Sequence, residues 1–317
     1  LAKKMDDSDS RFLTAGAGGS TRACRIFTVS GSPFNLCAYG DYTVTGGSTS
    51  IIPTSPFTAT VKIWGAGGGS GVTTCCGDAN PTRVSWGGGG GYAKGNVSFV
   101  AGTTYFLTVG SGGPNGSAPP GAQGGGGSAI YLAPDTTILA AGGGGGASAY
   151  YGYGGHGGGP SGQPGGGGDG TVGAGGGASQ VAAGTGGSPG LGGAGSSHGG
   201  GNGGFSPNPG SPAGAVPGWS GGSGGFKPGD GGGGGGGGGY FGGGGGGFGS
   251  WGRGGGGGSG FANPTYVTNS TLTPGNDNLA GNNSDPDRGS TAGNGTAKGA
   301  CRAGGNPGRL VIKRIYS

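Results

Sequence analysis

The chain has 317 residues, of which 102 are Gly and 20 are Pro, and only 30% are apolar. A third of glycine without a Gly-X-Y period excludes collagen, and so low an apolar fraction excludes one conventional core for a chain this long. The net charge of +5 is spread thinly over a chain in which 9% of residues are charged and every acid is Asp. With no Lys/Arg-rich run, it excludes a nucleic-acid patch. Helix formers are scarce and helix breakers abundant, which predicts almost no α-helix. No stretch reads as a membrane span or a signal peptide. The first residue is Leu, so the expectation is a processed chain or a piece of a longer one.

In chain order, residues 1–14, "LAKKMDDSDSRFLT", form the charge-dense segment. Residues 15–56 mix Gly, Ser and Thr with short strand-like pieces such as "CRIFTVS" and "DYTVTGG". In "FTATVKIWGAGGG" (57–69), Val61 and Ile63 alternate with Thr60 and Lys62, the period of a half-buried strand. "NVSFVAGTTYFLTVG" (96–110) reads as strand, Ala-Gly turn, strand, with Tyr105, Leu107 and Val109 on one face. "SAIYLAPDTTILAAGG" (128–143) repeats that plan, with Pro134 and Asp135 at the turn. A last strand, "GRLVIKRIYS" (308–317), puts Leu310 and Ile312 together.

Between these strands lie a glycine block, 142–260, and a polar loop region, 261–307. Because strand pattern returns at the C-terminus, the block is an insertion inside one unit rather than a tail. Glycine loses more freedom on ordering than any other residue, so the bland reading is an elastomeric loop. The alternative is a set of thin, extended three-per-turn helices packed side by side, with N–H and C=O groups pairing outward in three directions. A run of about nine residues would then span about 28 Å at roughly 3.1 Å per residue. An insertion of this length left as coil inside one β-unit would be very unusual, which favours the second reading.

The residues offer little chemistry. GxGxxG matches everywhere at this glycine density and carries no weight. His156 and His198 stand alone among glycines, Asp169 and Asp230 sit where turns are expected, and no Ser has a nucleophile-elbow context. The expectation is therefore no enzyme, no metal and no cofactor. The cysteines are Cys24, Cys37, Cys75, Cys76 and Cys301, with no zinc spacing. Cys24 and Cys37 could bridge a short loop, or all five could be free thiols.

Four segments carry a resemblance: "FTATVKIWGAGGGSG", "WGGGGGYAKGNVSFVAGTTYFLTVGSGG", "GGGGSAIYL…TTILAAGGGGGA" and the closing "PGRLVIKRIYS". Together they resemble the glycine-rich domain at the ends of many bacteriophage tail fibres. A related arrangement occurs in the ectodomain of the anaplastic-lymphoma-kinase receptor family. The match covers about residues 57–317. It implies an all-β fold with a polyglycine II helix bundle: an antiparallel β-layer or sandwich, strands at 57–141 and 308–317, enclosing the glycine-rich bundle 142–260. Separately, "LAKKMDDSDSRFLTA" resembles the linkers repeated along trimeric tail fibres, through Lys4, Asp6, Ser8, Asp9, Arg11 and Leu13. That makes residues 1–14 the end of a fibre shaft and 15–56 an N-terminal β/loop segment.

The resemblance implies a homotrimeric, non-catalytic virion subunit at the tail-fibre surface. Its partners would be other fibre or virion proteins and a host surface glycan or protein, with no nucleic acid and no membrane insertion. The alternative is a secreted structural subunit of an extracellular filament or matrix, for which Asn96, Asn115, Asn269, Asn282 and Asn294 stand in glycosylation triplets. Aromatic side chains interrupting the glycine runs are the candidate contacts. The receptor-binding candidates are Tyr150, Tyr151, Tyr153, His156, Tyr240, Phe241, Phe248, Trp251 and Arg253. Tyr150–Tyr153 and Phe248–Trp251 are expected to face solvent. The competing reading is that these rings cap the bundle.

Overall fold

A computed structural model describes residues 26–29, 32–35, 41–71, 85–116, 121–133, 136–167, 173–187, 221, 224, 232–248, 252–300 and 302–315. All five cysteines lie outside the described residues, as do residues 1–14, His198, Asp169, Asp230 and Trp251. Among the described residues the fold is all-β, with a single turn of 3-10 helix at Pro286–Arg288 and no α-helix.

Two antiparallel sheets pack face to face. The larger runs in the order β10 (Phe261–Ala262), β9 (Thr136–Ala141), β8 (Ser128–Leu132), β7 (Tyr105–Val109), β4 (Gly47–Pro53), β1 (Ile26–Val29), β2 (Ser32–Asn35). The smaller runs β11 (Val267–Thr273), β6 (Tyr92–Phe99), β5 (Phe57–Trp64), β12 (Arg309–Arg314), β3 (Tyr42–Val44). Alternation decides the inward face. In β5, Ala59, Val61 and Ile63 are fully buried and Thr58, Thr60 and Lys62 are not. They meet Leu107, Ile130 and Leu139 of the larger sheet, and Leu310 and Ile312 beside them, in one core. Each such Ile or Leu contributes roughly 1.5–3 kcal/mol. β12 lies between β5 and β3 in the smaller sheet, with Leu310 opposite Ile63 and Val44. Strands before residue 57 are woven into both sheets, since β4 pairs with β7 and β3 with β12.

The connections between β6 and β7 and between β8 and β9 are short, whereas those after β5, β7 and β9 begin and end in glycine-rich stretches. Gly65 follows β5 and Gly91 leads into β6; Gly110 follows β7 and Gly127 leads into β8; Gly142 follows β9 and Gly260 leads into β10. The run 142–149 lies at the centre of this material. Its N–H groups donate in rotation to three neighbours. Those of Gly143, Gly146 and Ala149 go to the carbonyls of Gly238, Gly235 and Gly232 at 2.6, 2.7 and 2.9 Å. Those of Gly144 and Ala147 go to Ala66 and Gly69 at 2.9 and 3.0 Å, and those of Gly145 and Ser148 go to Gly155 and Gly152 at 2.7 and 3.0 Å. Its carbonyls accept from three further runs: from Gly88 and Gly91, from Ala122 and Gly125, and from Gly255 and Gly258. The central run therefore has six bonded neighbours, and adjacent neighbours are bonded to one another, as Gly68 to Gly88 and Gly155 to Gly255. Glycine runs from well before residue 142 thus share hydrogen bonds with those after it.

The packing distance explains why the residue is glycine. A Cβ built on Gly144 would come within 3.0 Å of the Gly88 carbonyl, and one on Gly145 would meet that of Gly255. The offending atoms are main chain, which has no rotamer to yield. The same approach directs Cα–H groups at carbonyl oxygens, a weak contact repeated many times.

The polar stretch after β10 is also ordered. It contains β11, paired with β6 across a register shift between Thr268 and Thr271, where Asn269 takes a left-handed φ of 52°. It then crosses the outer face of the smaller sheet over Trp64 and Tyr92, with Ala280 packed on both. The Trp64 indole N–H donates to the Gly281 carbonyl at 3.1 Å. Arg288 is buried, and its guanidinium donates to the carbonyls of Asn283, Ala292 and Ser290 at 3.0, 2.8 and 2.9 Å.

Candidate functional site

The hydrogen-bonded registers give each run a sheet end and a far end. Gly142, Gly91 and Gly258 mark the sheet end; Ala149, Gly232 and Gly152 mark the far end. Seven residue steps along the central run, from Gly142 to Ala149, separate the two. The candidate residues divide along this axis.

Tyr150 and Tyr151 occupy the reversal at the far end, half-buried, with ring centroids 6.5 Å apart. Phe248 lies near that end but is 7% exposed, so it is not solvent-facing as expected; it packs into the bundle. Arg253 is likewise buried, its N–H donating to Gly247 and its guanidinium to the Gly252 carbonyl. Trp251, expected beside Phe248, is outside the described residues. Tyr240 and Phe241 turn at the opposite, sheet end. Tyr240 stacks on Phe261 of β10, centroids 4.0 Å apart and planes 9° apart, over Tyr131 and Phe106 on the outer face of the larger sheet. The Phe241 N–H donates to Ser259 Oγ at 3.1 Å, which fixes the turn. This pair caps the bundle against the sandwich.

Tyr153 and His156 lie together on the flank, in the run 152–158. The Tyr153 ring stacks on Trp86, centroids 4.8 Å apart and planes 7° apart. The two are brought together by the Gly154 N–H, which donates to the Trp86 carbonyl at 2.9 Å. Lys298 Nζ stands over the Trp86 ring, 4.6 Å from its centroid, and pairs with Asp277 at 3.0 Å. Both charged groups are about half exposed, so the pair itself stabilises little. Asp277 has a left-handed φ of 51° in a turn closed by Asn276 and Leu279, and its carbonyl accepts from the Gly89 N–H at 2.8 Å. Gln163 is held beside His156 by its N–H, which donates to the His156 carbonyl at 2.9 Å.

These six side chains surround or border a recess of about 260 Å³ walled by the main chain of Gly154 and Gly155. His156 Nδ1 is buried and has no hydrogen-bond partner among the described residues. Burial holds the imidazole pKa below its ordinary value, and the Asp277 charge opposes this only in part. The sequence singles out Tyr153 and His156. It carries no sign that Trp86, Gln163, Asp277 and Lys298 join them, since these come from separate runs and meet only through the hydrogen-bond register. The one available hint was that Trp86, like Tyr153, abuts a glycine run.

Among the described residues no group of three His, Cys, Asp or Glu could hold a metal ion, and no helix is long and apolar enough to cross a membrane. The chain matches no protein-family model, and no curated protein matches it.

Proposed function

We propose that this chain is a non-catalytic structural and adhesive subunit, the distal part of a phage tail fibre, in which the glycine runs are polyglycine II helices and the far end meets a host-cell receptor. The observation that carries the reading is the three-residue rotation of donors through neighbouring runs. That is the bonding expected of parallel and antiparallel three-per-turn helices, and it makes a stiff bundle packed mainly main chain against main chain. Its far end carries Tyr150 and Tyr151, rigid rings of the kind that anchor interfaces. In this reading three copies assemble through the N-terminal shaft and act at the virion surface.

Adsorption tests it. Fluorescently labelled protein is mixed with a panel of bacterial cells, and the variant carrying Tyr150→Ser and Tyr151→Ser is compared with the parent. Saturable binding to some strain, lost in the double variant at unchanged melting temperature, supports the reading. Binding to no cell envelope, or a variant that adsorbs like the parent, sinks the receptor assignment. Hydrogen exchange addresses the helices: amides at 143–149 and 234–238 are expected to be protected, and uniformly fast exchange would return the runs to linker. Sedimentation of a single species of monomer mass at micromolar concentration would remove the trimer.

A further inference from the structure

The recess on the flank is separate from the far-end tyrosines, and its contents are unlike those of the surrounding bundle. Elsewhere the runs present main chain to main chain. Here Gln163, Asp277 and His156 line a recess together with the stacked rings of Trp86 and Tyr153.

We propose that this recess binds a single pyranose-type sugar residue of a glycan. Asp277 and Gln163 take its hydroxyl groups. Three observations select this class. At about 260 Å³ the recess lies below the range of drug-sized pockets, roughly 300–1,000 Å³, and suits one ring. Among the described residues its bordering charges are Asp277 and Lys298, which neutralise each other at 3.0 Å, so these residues call for no ionic ligand. Its partners are two-way: the Gln163 amide both donates and accepts, and the Asp277 carboxylate accepts from two hydroxyls at once. The wall is also stiff. Trp86 is held by Tyr153 stacked upon it and by Lys298 over its ring, and Gly154 and Gly155 are tied by hydrogen bonds to Trp86 and Gly255. Ordering costs on binding are correspondingly low.

The test needs no host cell, so it is independent of the receptor reading above. Methyl α-glucopyranoside, methyl β-galactopyranoside and methyl N-acetyl-β-glucosaminide are each titrated into the full chain, with saturation-transfer NMR as the readout. N-acetyl-tyrosinamide serves as a probe for a protein side chain. The expected result is saturable transfer to at least one glycoside. It should weaken about tenfold in Gln163→Ala and in Asp277→Asn, the loss of one good hydrogen bond. Gln163 is exposed, and Asn tolerates the left-handed backbone at 277, so both variants keep the fold. Transfer to no glycoside overturns the proposal. So does transfer that both variants leave unchanged, which would put the sugar elsewhere. Saturation by the tyrosyl probe alone would reassign the recess to a protein partner.

Discussion

Lys62 and Asp285, 223 residues apart in the chain, form a two-pronged ion pair, with Nζ 2.9 and 2.8 Å from the two carboxylate oxygens. The same ammonium donates to Asp287 at 2.6 Å, and Asp287 accepts from Lys313 at 2.7 and 2.8 Å. Lys62 and Lys313 are outward-facing residues of β5 and β12, whereas both acids belong to the loop after β11. The network therefore pins that loop to the sheet. Asp285 is the most enclosed member, and it also accepts from the Asn282 amide and the Asp287 N–H. Asp285→Ala should destabilise the protein by roughly 3 kcal/mol, the low end for breaking a buried pair. Urea unfolding of parent and variant measures it. Asp277→Ala, which breaks an exposed pair, should lose under about 1 kcal/mol from that pair.

Stability should fall in two steps on acidification. Burial depresses the His156 pKa, so its contribution is present above the ordinary value of 6.5 and is lost as pH drops through the folded value. For Asp287, burial works to raise the pKa, but bonds from Lys313 and Lys62 outweigh it and the net shift is downward. That contribution is present above the ordinary 3.8 and disappears as pH falls through the lower folded value. At the alkaline side, burial works to lower the Lys62 pKa, yet Asp285 and Asp287 raise it overall. Its share is intact below 10.5 and is lost as pH rises through the higher folded value. Melting temperature against pH should show the first acid step vanish in His156→Gln and the second shrink in Asp287→Asn.

Glycine substitution should have sharply position-dependent effects. Gly144→Ala drives a methyl group into the Gly88 carbonyl and should cost about 3 kcal/mol or more, the severe end of overpacking. Gly46→Ala meets nothing within 4 Å and should change stability by under about 0.5 kcal/mol. Paired thermal melts compare them. Equal effects would mean that the bundle does not hold the close packing described.

Tyr240→Ala removes the ring stacked on Phe261 and should cost roughly 1–2 kcal/mol, an aromatic pair plus part of its buried area. Its mark should be local. Exchange should accelerate at Gly239 through Phe241 and at Ser259, which are tied to one another, before it does at Gly144.

Two kinds of strand were legible in the sequence: half-buried strands that alternate, and β8 and β9, apolar runs buried on both faces. Val61 and Ile63 alternate with Thr60 and Lys62 because sheet curvature and pleat make them do so, and the same holds for Tyr105, Leu107 and Val109 in β7. β11, "VTNSTLT", was hidden. It is an edge strand exposed along most of its length, so no alternation marks it. β4 opens with "GSTS", equally silent. The bundle's registers were beyond reading for a different reason: one glycine is interchangeable with the next, and nothing in the letters says that Gly144 meets Ala66. The recess inherits that blindness, since its residues meet only once those registers are set.

The hydrogen-bonded core of run 142–149 has a thermal consequence. Most of what it hides from water is peptide group, not hydrocarbon. Exposing apolar surface raises the heat capacity of unfolding and exposing polar surface lowers it, for a usual net of about 12–15 cal/mol/K per residue. A domain whose interior is largely main chain should fall well short of that figure. Its stability curve would then be broad and shallow, nearly level from ice to warm water, and cold would do little to loosen it. The glycine that seemed least able to hold a shape thus yields a body whose hold depends least on temperature.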